Sequence, residues 1–293
     1  MEKIDSIAIV GAGVMGRRIG FACAIAGQSV RLFDVDPQQT EAALLQIERW
    51  AKDRSIDFVS RPEVVSTLSE CVREADMIIE NVPERLDLKR SVFEEIDAAS
   101  KSTAILASNT SSIPGSWLAD STNRPDLLIN VNFGHVDDRK VEVMPHPGTA
   151  TETIEKMTHF LESIGMIAIL VLREQIGYSS NRIWRVVKKE VLRQLDEGIS
   201  TPEEIDRAWM LDWDTSIGPC GLMDKVGLDV VRDIENIYFE ASGDPSDRPP
   251  GMLEKMIVAG RVGEKADRGF YRYPDPAYQR MGFLERKKQD ENE

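Results

Sequence analysis

The sequence predicts an α/β fold in which a doubly wound parallel sheet is followed by an all-helical C-terminal domain. Short apolar runs alternate with amphipathic stretches as far as about residue 172, and a glycine-rich turn follows the first run. After EQIGYSSNR the helical period takes over, and it places Ile183, Val186, Val187, Val191 and Leu195 on one helical face. We therefore predict a first domain over residues 1–175 and a second over residues 176–293.

The predicted strands are short apolar runs bounded by turn residues. In chain order they read IAIV, VRLF, MIIE, AILAS, LLINVNF, KVEVM and AILVL. Helices are predicted over residues 41–52 and 88–99, between the second strand and the fourth. In the second domain, STPEEIDRA places Ser200 or Thr201 before two glutamates, which predicts a capped helix start.

The first turn lies in IAIVGAGVMGRRIG, directly after the first strand. Gly11 makes the turn, Gly13 leaves room for a phosphate, and Gly16 lets the next helix pack on the strand. Val14 and Met15 begin that helix, whose free N–H groups attract an anion. The spacing predicts a dinucleotide-binding turn. A purely structural glycine loop is the alternative.

An acidic residue supports the dinucleotide interpretation. Asp34 ends the second strand 18 residues after Gly16, close to the separation of roughly 20 at which a carboxylate binds the ribose hydroxyls. Val35 and Asp36 follow it, so a 2′-phosphate would meet two carboxylates and no basic side chain. NAD is therefore predicted rather than NADP. A solvated Asp34 without a ligand is the alternative.

Composition and charge disfavour several classes of partner. The chain has 293 residues, 42% of them hydrophobic, and a formal net charge of -14, which argues against nucleic acid and anionic membranes. Cys23, Cys71 and Cys220 lack metal-ligand spacing and fit a reducing compartment. No apolar run reaches the roughly 18 residues that cross a bilayer. The charged MEK before the first strand does not resemble a signal peptide, so we expect a cytoplasmic protein. From the cysteine spacing we expect no bound metal.

Six segments resemble the NAD-dependent L-3-hydroxyacyl-CoA dehydrogenase family. They are IIENVPERLDLK, ASNTSSIP, VEVMPHPGTA, GYSSNR, IGPCGLMDKVGLD and GRVGEKADRGFYRY, in the order of the family, and the resemblance spans residues 7–273. The third segment also resembles the branch that contains lambda-crystallin and L-gulonate 3-dehydrogenase, which act on free sugar acids. The resemblance implies a Rossmann domain, NAD as cofactor, a C-terminal domain that forms a homodimer, and hydride transfer at a 3-hydroxy group.

Oxidation of a secondary alcohol needs a base for the hydroxyl proton. Three histidines are available. His159 lies at helical spacing, and His146 stands between two prolines in a turn. His135 follows LLINVNF at the carboxyl edge of the sheet, where ligands bind in such folds, so it is the predicted base. Glu142, in KVEVM, matches the catalytic glutamate of the family and is predicted to orient the base; a solvent-facing cross-strand charge is the alternative.

The resemblance assigns five further site residues. Ser111, in SNTSS, and Asn181, in SSNR, match positions that hydrogen-bond the reacting substrate, although each also suits a helix cap. Glu84 and Lys89, in PERLDLK, match positions around the cofactor, although an exposed helix start explains them nearly as well. Asn109, beside Ser111, is also assigned to the cofactor.

The histidine departs from the pattern of the family. In the family it lies within the strand, whereas here Asn132 stands at the nearest match and His135 comes only seven residues before Glu142. A two-residue deletion in the turn would bring His135 into the same place. Otherwise the base is lost, and the chain is a catalytically silent NAD-binding protein.

The segment after the second strand also departs. CoA-specific members carry a longer, lysine-rich helical hairpin there, whereas this chain has only Lys52, Arg49 and Arg54. Little positive charge is available for the phosphates of CoA. The predicted function is therefore NAD-dependent interconversion of 3-hydroxyacyl and 3-oxoacyl groups, with a CoA thioester as substrate and a free 3-hydroxy acid as the alternative.

Overall fold

The computed structural model describes residues 3–134 and 138–285. The chain divides between residues 180 and 181 into two compact units, called unit 1 and unit 2 below. Unit 1 carries the sheet, and unit 2 is built from helices. The α/β class and the helical C-terminal region predicted from the sequence are confirmed.

The described part of unit 1 forms one sheet of eight strands, in the order β3-β2-β1-β4-β5-β6-β7-β8. The strands are β1 (Ser6–Val10), β2 (Ser29–Phe33), β3 (Glu63–Val64), β4 (Met77–Glu80), β5 (Ile105–Asn109), β6 (Leu128–Phe133), β7 (Lys140–Met144) and β8 (Ile167–Leu170). All seven predicted runs form strands. The two-residue β3 was not predicted, because it is too short to show a period.

Helices cover both faces of the sheet, as expected for parallel strands buried on two sides. In unit 1 they are α1 (Val14–Ile25), α2 (Pro37–Asp53), α3 (Leu68–Val72), α4 (Leu86–Ala99) and α5 (Thr151–Ser163). Ile7 and Ile9 pack in one apolar cluster with residues of α1, α2 and α5. Ala8 and Val10 pack on the opposite face with residues of α3 and α4. The doubly wound arrangement follows from this alternation.

The sheet is not wholly parallel, and here the expectation needs correction. β7 pairs antiparallel with β6, and β8 runs parallel to β7. Only six residues separate the two strands, fewer than the dozen or more that a parallel crossover needs, so this length allows an antiparallel pair. As a result, the start of β7 lies at the same edge of the sheet as the carboxyl ends of β5 and β6.

Unit 2 contains most of α6 (Ser180–Asp196), then α7 (Pro202–Trp213), α8 (Pro219–Val226), α9 (Leu228–Ser242) and α10 (Gly251–Val258). The Thr201 side chain caps α7, which settles the predicted cap. Buried Asp206 accepts the backbone N–H groups of Cys220 and Gly221 at the start of α8. Buried Asp224 accepts those of Phe270 and Tyr271. These carboxylates join α8 to α7 and to the chain near residue 270.

The predicted apolar face of α6 is only partly buried. Val191 belongs to the core of unit 2, with Val187 and Leu195 packed against it. Ile183 and Val186, at the start of the helix, are 69% and 67% exposed. Within the described residues, no helix is long and apolar enough to cross a membrane.

Candidate active site

The glycine turn has the close packing that its spacing predicts. Gly11 has a φ of +95°, and a Cβ at Gly16 would lie 2.0 Å from the carbonyl oxygen of Gly11. A Cβ at Gly13, in contrast, would meet no atom within 4 Å. Gly13 is also the N-cap of α1 and provides no side-chain cap, and Val14 is 61% exposed. The turn is thus closed on the strand side and open where an anion would meet the helix N-terminus.

Asp34 is fixed by backbone groups beside this turn. Its Oδ2 accepts the N–H of Ala12 at 2.8 Å, and its Oδ1 accepts the N–H of Asp36 at 3.0 Å. The carboxylate is only partly buried and retains acceptor capacity. The residues at this edge therefore fit a dinucleotide: an open helix N-terminus for the phosphates and an oriented carboxylate for ribose hydroxyls.

A buried ion pair lies beneath the carboxyl end of β4. Lys89 and Glu80 have fully buried side chains, and the ammonium lies 2.7 Å from one Glu80 oxygen and 2.9 Å from the other. Burial raises the pKa of the Glu80 carboxyl above its ordinary value, although Lys89 and Ser108 act in the opposite direction. Lys89 therefore contacts protein carboxylates in a site that solvent does not reach.

Glu84 shapes the loop that follows β5. Its Oε1 accepts the hydroxyl of Thr110 at 2.5 Å and the N–H groups of Ser111 and Ser112, each at 3.0 Å. Burial alone would raise its pKa, but the Thr110 hydrogen bond, the charge of Lys89 and the bonds from Ser112 hold the pKa of Glu84 below its ordinary value. An ionised Glu84 thus fixes the loop on which the exposed Ser111 stands.

One cleft brings together four of the predicted site residues, namely Met15, Glu84, Asn109 and Ser111. The Nδ2 of Asn109 donates to Asn81 at 2.9 Å. Its Oδ1 accepts the N–H of Phe133 at 3.2 Å. The cleft is also lined by Asn81, Val82, Thr110, Asn132 and Phe133. It therefore lies at the carboxyl ends of β4, β5 and β6, where ligands bind in such sheets.

Glu142 does not face solvent, which rules out the alternative of an exposed cross-strand charge. Its side chain is fully buried, and its Oε1 accepts the N–H groups of Ser179 at 3.1 Å and Ser180 at 2.9 Å. The strand register places Asn132 directly opposite Glu142, and the Asn132 Nδ2 lies 3.4 Å from Oε2. An asparagine from the cleft thus faces the carboxylate that was predicted to orient a histidine.

Sequence reasoning missed Lys140. Its Nζ lies 3.8 Å from the Oε2 of Glu142 and donates to the hydroxyl of Ser180 at 2.8 Å. Residues two apart on a strand share a face of the sheet, so the KVE segment already indicated that Lys140 and Glu142 lie on one face. The position of Lys140 at the ligand-binding edge depends on the reversed direction of β7, which the sequence did not show.

Tyr178, in GYSSNR, was also missed. It is 1% exposed, and its hydroxyl has no hydrogen-bond partner among the described residues. Burial raises the pKa of Tyr178 well above its ordinary value, and the charges of Glu84, Glu142 and Glu174 raise it further. The hydroxyl therefore keeps its proton. The side chain packs with Met144 and Val171.

His135 lies outside the described residues, whereas His146 and His159 lie within them. The Nδ1 of His146 accepts the N–H of Gly148 at 3.1 Å, and its Nε2 lies 2.8 Å from the carbonyl oxygen of Pro125. His146 thus stabilises its turn, as expected, and His159 is exposed on α5.

Asn181 is the second residue of α6 and belongs to unit 2. Its side chain is exposed. Among the described residues, no cluster of histidine, cysteine, aspartate and glutamate side chains is arranged to hold a metal ion.

Comparisons with known proteins agree with the geometry. The model of the NAD-binding domain of 3-hydroxyacyl-CoA dehydrogenase matches residues 6–175, and that of the C-terminal domain matches residues 177–273. A Bacillus subtilis protein described as a probable 3-hydroxybutyryl-CoA dehydrogenase is 33% identical over 284 residues, 93% of this chain and 99% of the relative.

Solved structures show the same relationship. The (S)-3-hydroxybutyryl-CoA dehydrogenase of Ralstonia eutropha has a TM-score of 0.85 and 29% identity, covering 93% of this chain and 100% of its own. A diketoreductase described as acting on dicarbonyl compounds has a TM-score of 0.83 and 28% identity, with the same coverage. This chain therefore belongs to the 3-hydroxyacyl-CoA dehydrogenase family and is an NAD-dependent oxidoreductase, as its motifs predicted.

Proposed function

We propose that this protein interconverts a 3-hydroxyacyl-CoA and the corresponding 3-oxoacyl-CoA. The observation that carries the proposal is the position of Glu142: a fully buried carboxylate at the ligand-binding edge of the sheet, facing Asn132 of the cleft. The same cleft contains Ser111, which matches a substrate position of the family, and Asn109, which is assigned to the cofactor. Through Asn132, the buried carboxylate is connected to the cleft in which a substrate proton would be exchanged.

The chain's residues suit the binding of NAD, which accepts a hydride from the substrate carbon when it is bound. Gly11, Gly13 and Gly16 leave the α1 N-terminus open for its phosphates, and Asp34 offers acceptors for the ribose hydroxyls. Val14 and Met15, at the first turn of α1, and Asn109 would line its path. Glu84 acts by holding the loop after β5, and Lys89 acts through Glu80 and Glu84 rather than by direct contact.

The roles of the substrate-binding residues rest on the family resemblance. Ser111, exposed in the cleft, and Asn181 are proposed to hydrogen-bond the reacting oxygen. Glu142 is proposed to orient the group that exchanges the substrate proton. His135 was predicted to be that group, and since it lies outside the described residues its role stays a prediction.

The division of labour between the two domains is also a proposal. Residues 1–175 would bind NAD, and residues 176–293 would contribute substrate contacts and form a homodimer. The two family models support a boundary at this point, because one ends at residue 175 and the other begins at residue 177. The exposed apolar side chains of Ile183 and Val186 favour a protein contact on α6. The cytoplasmic location stays a prediction from the sequence.

A free 3-hydroxy acid is the second candidate substrate, because two of the three basic residues of α2 and its end contact other groups of the protein. Arg49 lies 3.8 Å from Asp53, and the guanidinium of Arg54 lies over the ring of Phe21. In unit 2, Lys188 and Lys189 form ion pairs with Glu235 and Asp247. Apart from Lys52, these basic side chains already have partners within the protein. The diketoreductase of similar structure is described as acting on dicarbonyl compounds.

A substrate panel tests the proposal. NADH formation is measured with 3-hydroxybutyryl-CoA, with a thioester truncated to the pantetheine arm, and with free 3-hydroxybutyrate. We expect the two thioesters to react at similar rates, with little dependence of KM on salt. A preference for the free acid would establish the second candidate. NADH binding without turnover of any substrate would contradict both and indicate a silent cofactor-binding protein.

A further inference from the structure

The cationic side chain that lies near the Glu142 carboxylate, that of Lys140, belongs to the same strand, β7. The position that faces Glu142 across the β6–β7 hairpin is Asn132, whose carboxamide neither carries a charge nor exchanges protons near neutral pH. Lys140 stands two residues before Glu142, on the same face of β7. Resting on the proposed function, we propose that Lys140 exchanges the substrate proton in this enzyme, the role that the sequence predicts for His135.

The strand register places Lys140 at the ligand-binding edge of the sheet. Lys140 is the first residue of β7, at the edge where the carboxyl ends of β5 and β6 lie. Its side chain is 43% exposed, whereas that of Glu142 is fully buried. Of the two side chains, the amine is therefore the one open to solvent on the face that Asn132 shares. Asn132, which contacts Glu142, also lines the cleft with Ser111.

Two contacts hold the lysine in place. The Ser180 hydroxyl accepts one N–H at 2.8 Å, and the Glu142 carboxylate attracts the ammonium from 3.8 Å. A lysine has three donors, so positions remain for the substrate oxygen. On the adjacent strands, Lys140 lies opposite the uncharged Ile167 of β8, and its carbonyl oxygen accepts the N–H of Gly134. The Asp138 carboxylate lies against Gly134.

The proton balance of the reaction is simple. In oxidation, the hydroxyl O–H bond breaks and its proton passes to the uncharged amine of Lys140, while the C3–H electron pair leaves as hydride to the NAD that the activity supplies. The products are the 3-oxo group, NADH and the Lys140 ammonium. In reduction, the ammonium returns its proton to the developing alkoxide. Glu142, whose carboxylate lies 3.8 Å from the Lys140 ammonium, acts as a positioning residue.

An ion pair with one exposed partner is often only a stabilising contact of small effect. The Arg variant separates that role from proton exchange, since a guanidinium keeps the charge but does not release a proton. Lys140→Met removes both. Lys156→Met, on the remote helix α5, is a matched lysine control because Lys156 pairs with Glu152 away from the cleft.

The experiment measures kcat and KM for 3-hydroxybutyryl-CoA oxidation together with NADH affinity. We expect Lys140→Met and Lys140→Arg each to lower kcat by about 10² to 10⁴-fold, as for a lost general base, with NADH affinity and Lys156→Met activity unchanged.

Three results would overturn the assignment. Full activity of Lys140→Arg would reduce Lys140 to a counter-charge. A larger loss of kcat in His135→Gln than in Lys140→Met would make His135 the base. Normal kcat in Lys140→Met would exclude the lysine altogether. A wild-type protein that oxidises no thioester would contradict the proposed function instead, so the two failures are distinguishable.

Discussion

The buried pair of Lys89 and Glu80 provides the sharpest test of how the fold supports the site. Lys89→Met would keep most of the apolar side-chain volume but remove the ammonium that lies 2.7 Å from Glu80. The carboxylate would remain fully buried, with only the Ser108 hydroxyl and the Val82 N–H as donors. Breaking a buried pair on one side costs about 3–5 kcal/mol, a large share of the 5–15 kcal/mol by which typical domains are stable.

The cost should depend on pH, and its sign follows from Glu80. Because burial raises its pKa, Glu80 binds a proton more tightly in the folded chain than in the unfolded chain. Stability therefore falls as pH rises from the ordinary pKa to the folded one. The charge of Lys89 lowers the pKa of Glu80. Removing Lys89 therefore raises the folded-state pKa further and widens the pH range over which stability falls. As pH rises above the ordinary pKa of a glutamate, the variant should therefore lose more stability than the wild type does.

The assay is urea unfolding at several pH values, combined with hydrogen exchange of the β4 and β5 amides to localise the loss. The double variant Glu80→Gln, Lys89→Met is the matched control. It removes both charges, so it should recover most of the stability and lose the pH dependence. A Lys89→Met variant that is within about 1 kcal/mol of wild type at pH 8, or whose loss is the same at every pH, would refute this reasoning.

Three further predictions concern the cofactor turn and His146. Gly16→Ala should abolish NADH binding, because its Cβ would lie 2.0 Å from the Gly11 oxygen. Gly13→Ala should fold normally and bind NADH more weakly. Fluorescence titration measures the binding and thermal melting measures the stability of both variants. Asp34 should favour NADH over NADPH by about 1–3 kcal/mol, and equal dissociation constants would contradict its assignment. His146→Gln loses the bond from Gly148 within its turn and the contact with the Pro125 carbonyl oxygen, so it should lower Tm and leave kcat unchanged. A fall in kcat would give His146 a catalytic role.

The cofactor turn was predictable because its determinants are local. Gly11, Gly13 and Gly16 follow an apolar run and precede a helix, and the structure places them where this spacing requires. Asp34 could be predicted from its position at the end of the next strand alone. In these cases a short stretch of sequence specifies both the backbone conformation and the contact, so no long-range information is required.

The proton-transfer centre was less predictable, because it depends on pairing between strands. KVEVM reads as a strand in either direction, and only the antiparallel hairpin places Asn132 opposite Glu142. The burial of Glu142 likewise depends on Ser179 and Ser180, residues distant in the sequence. Lys140 acquires its neighbours by the same route. A single sequence shows which residue types are present, but strand direction decides which of them meet.

The buried Lys89 shows a different limit. Its place in PERLDLK suggested a residue near the cofactor, and an exposed helix start explained it nearly as well. Neither interpretation includes its partner Glu80, the last residue of β4, which is fully buried. Charged residues are almost never fully buried unless they are paired, and the pairing is a tertiary contact. The sequence pattern alone therefore does not distinguish a ligand-binding lysine from a supporting one.

Isotope transfer tests the central claim most directly. The protein is mixed with NAD and (S)-3-hydroxybutyryl-CoA that carries deuterium at C3, and the NADH formed is analysed by mass spectrometry. A 3-hydroxyacyl-CoA dehydrogenase should move the deuterium from C3 into NADH and release 3-oxobutyryl-CoA in equal amount. Unlabelled NADH, or no NADH from a protein that binds the cofactor normally, would contradict the account.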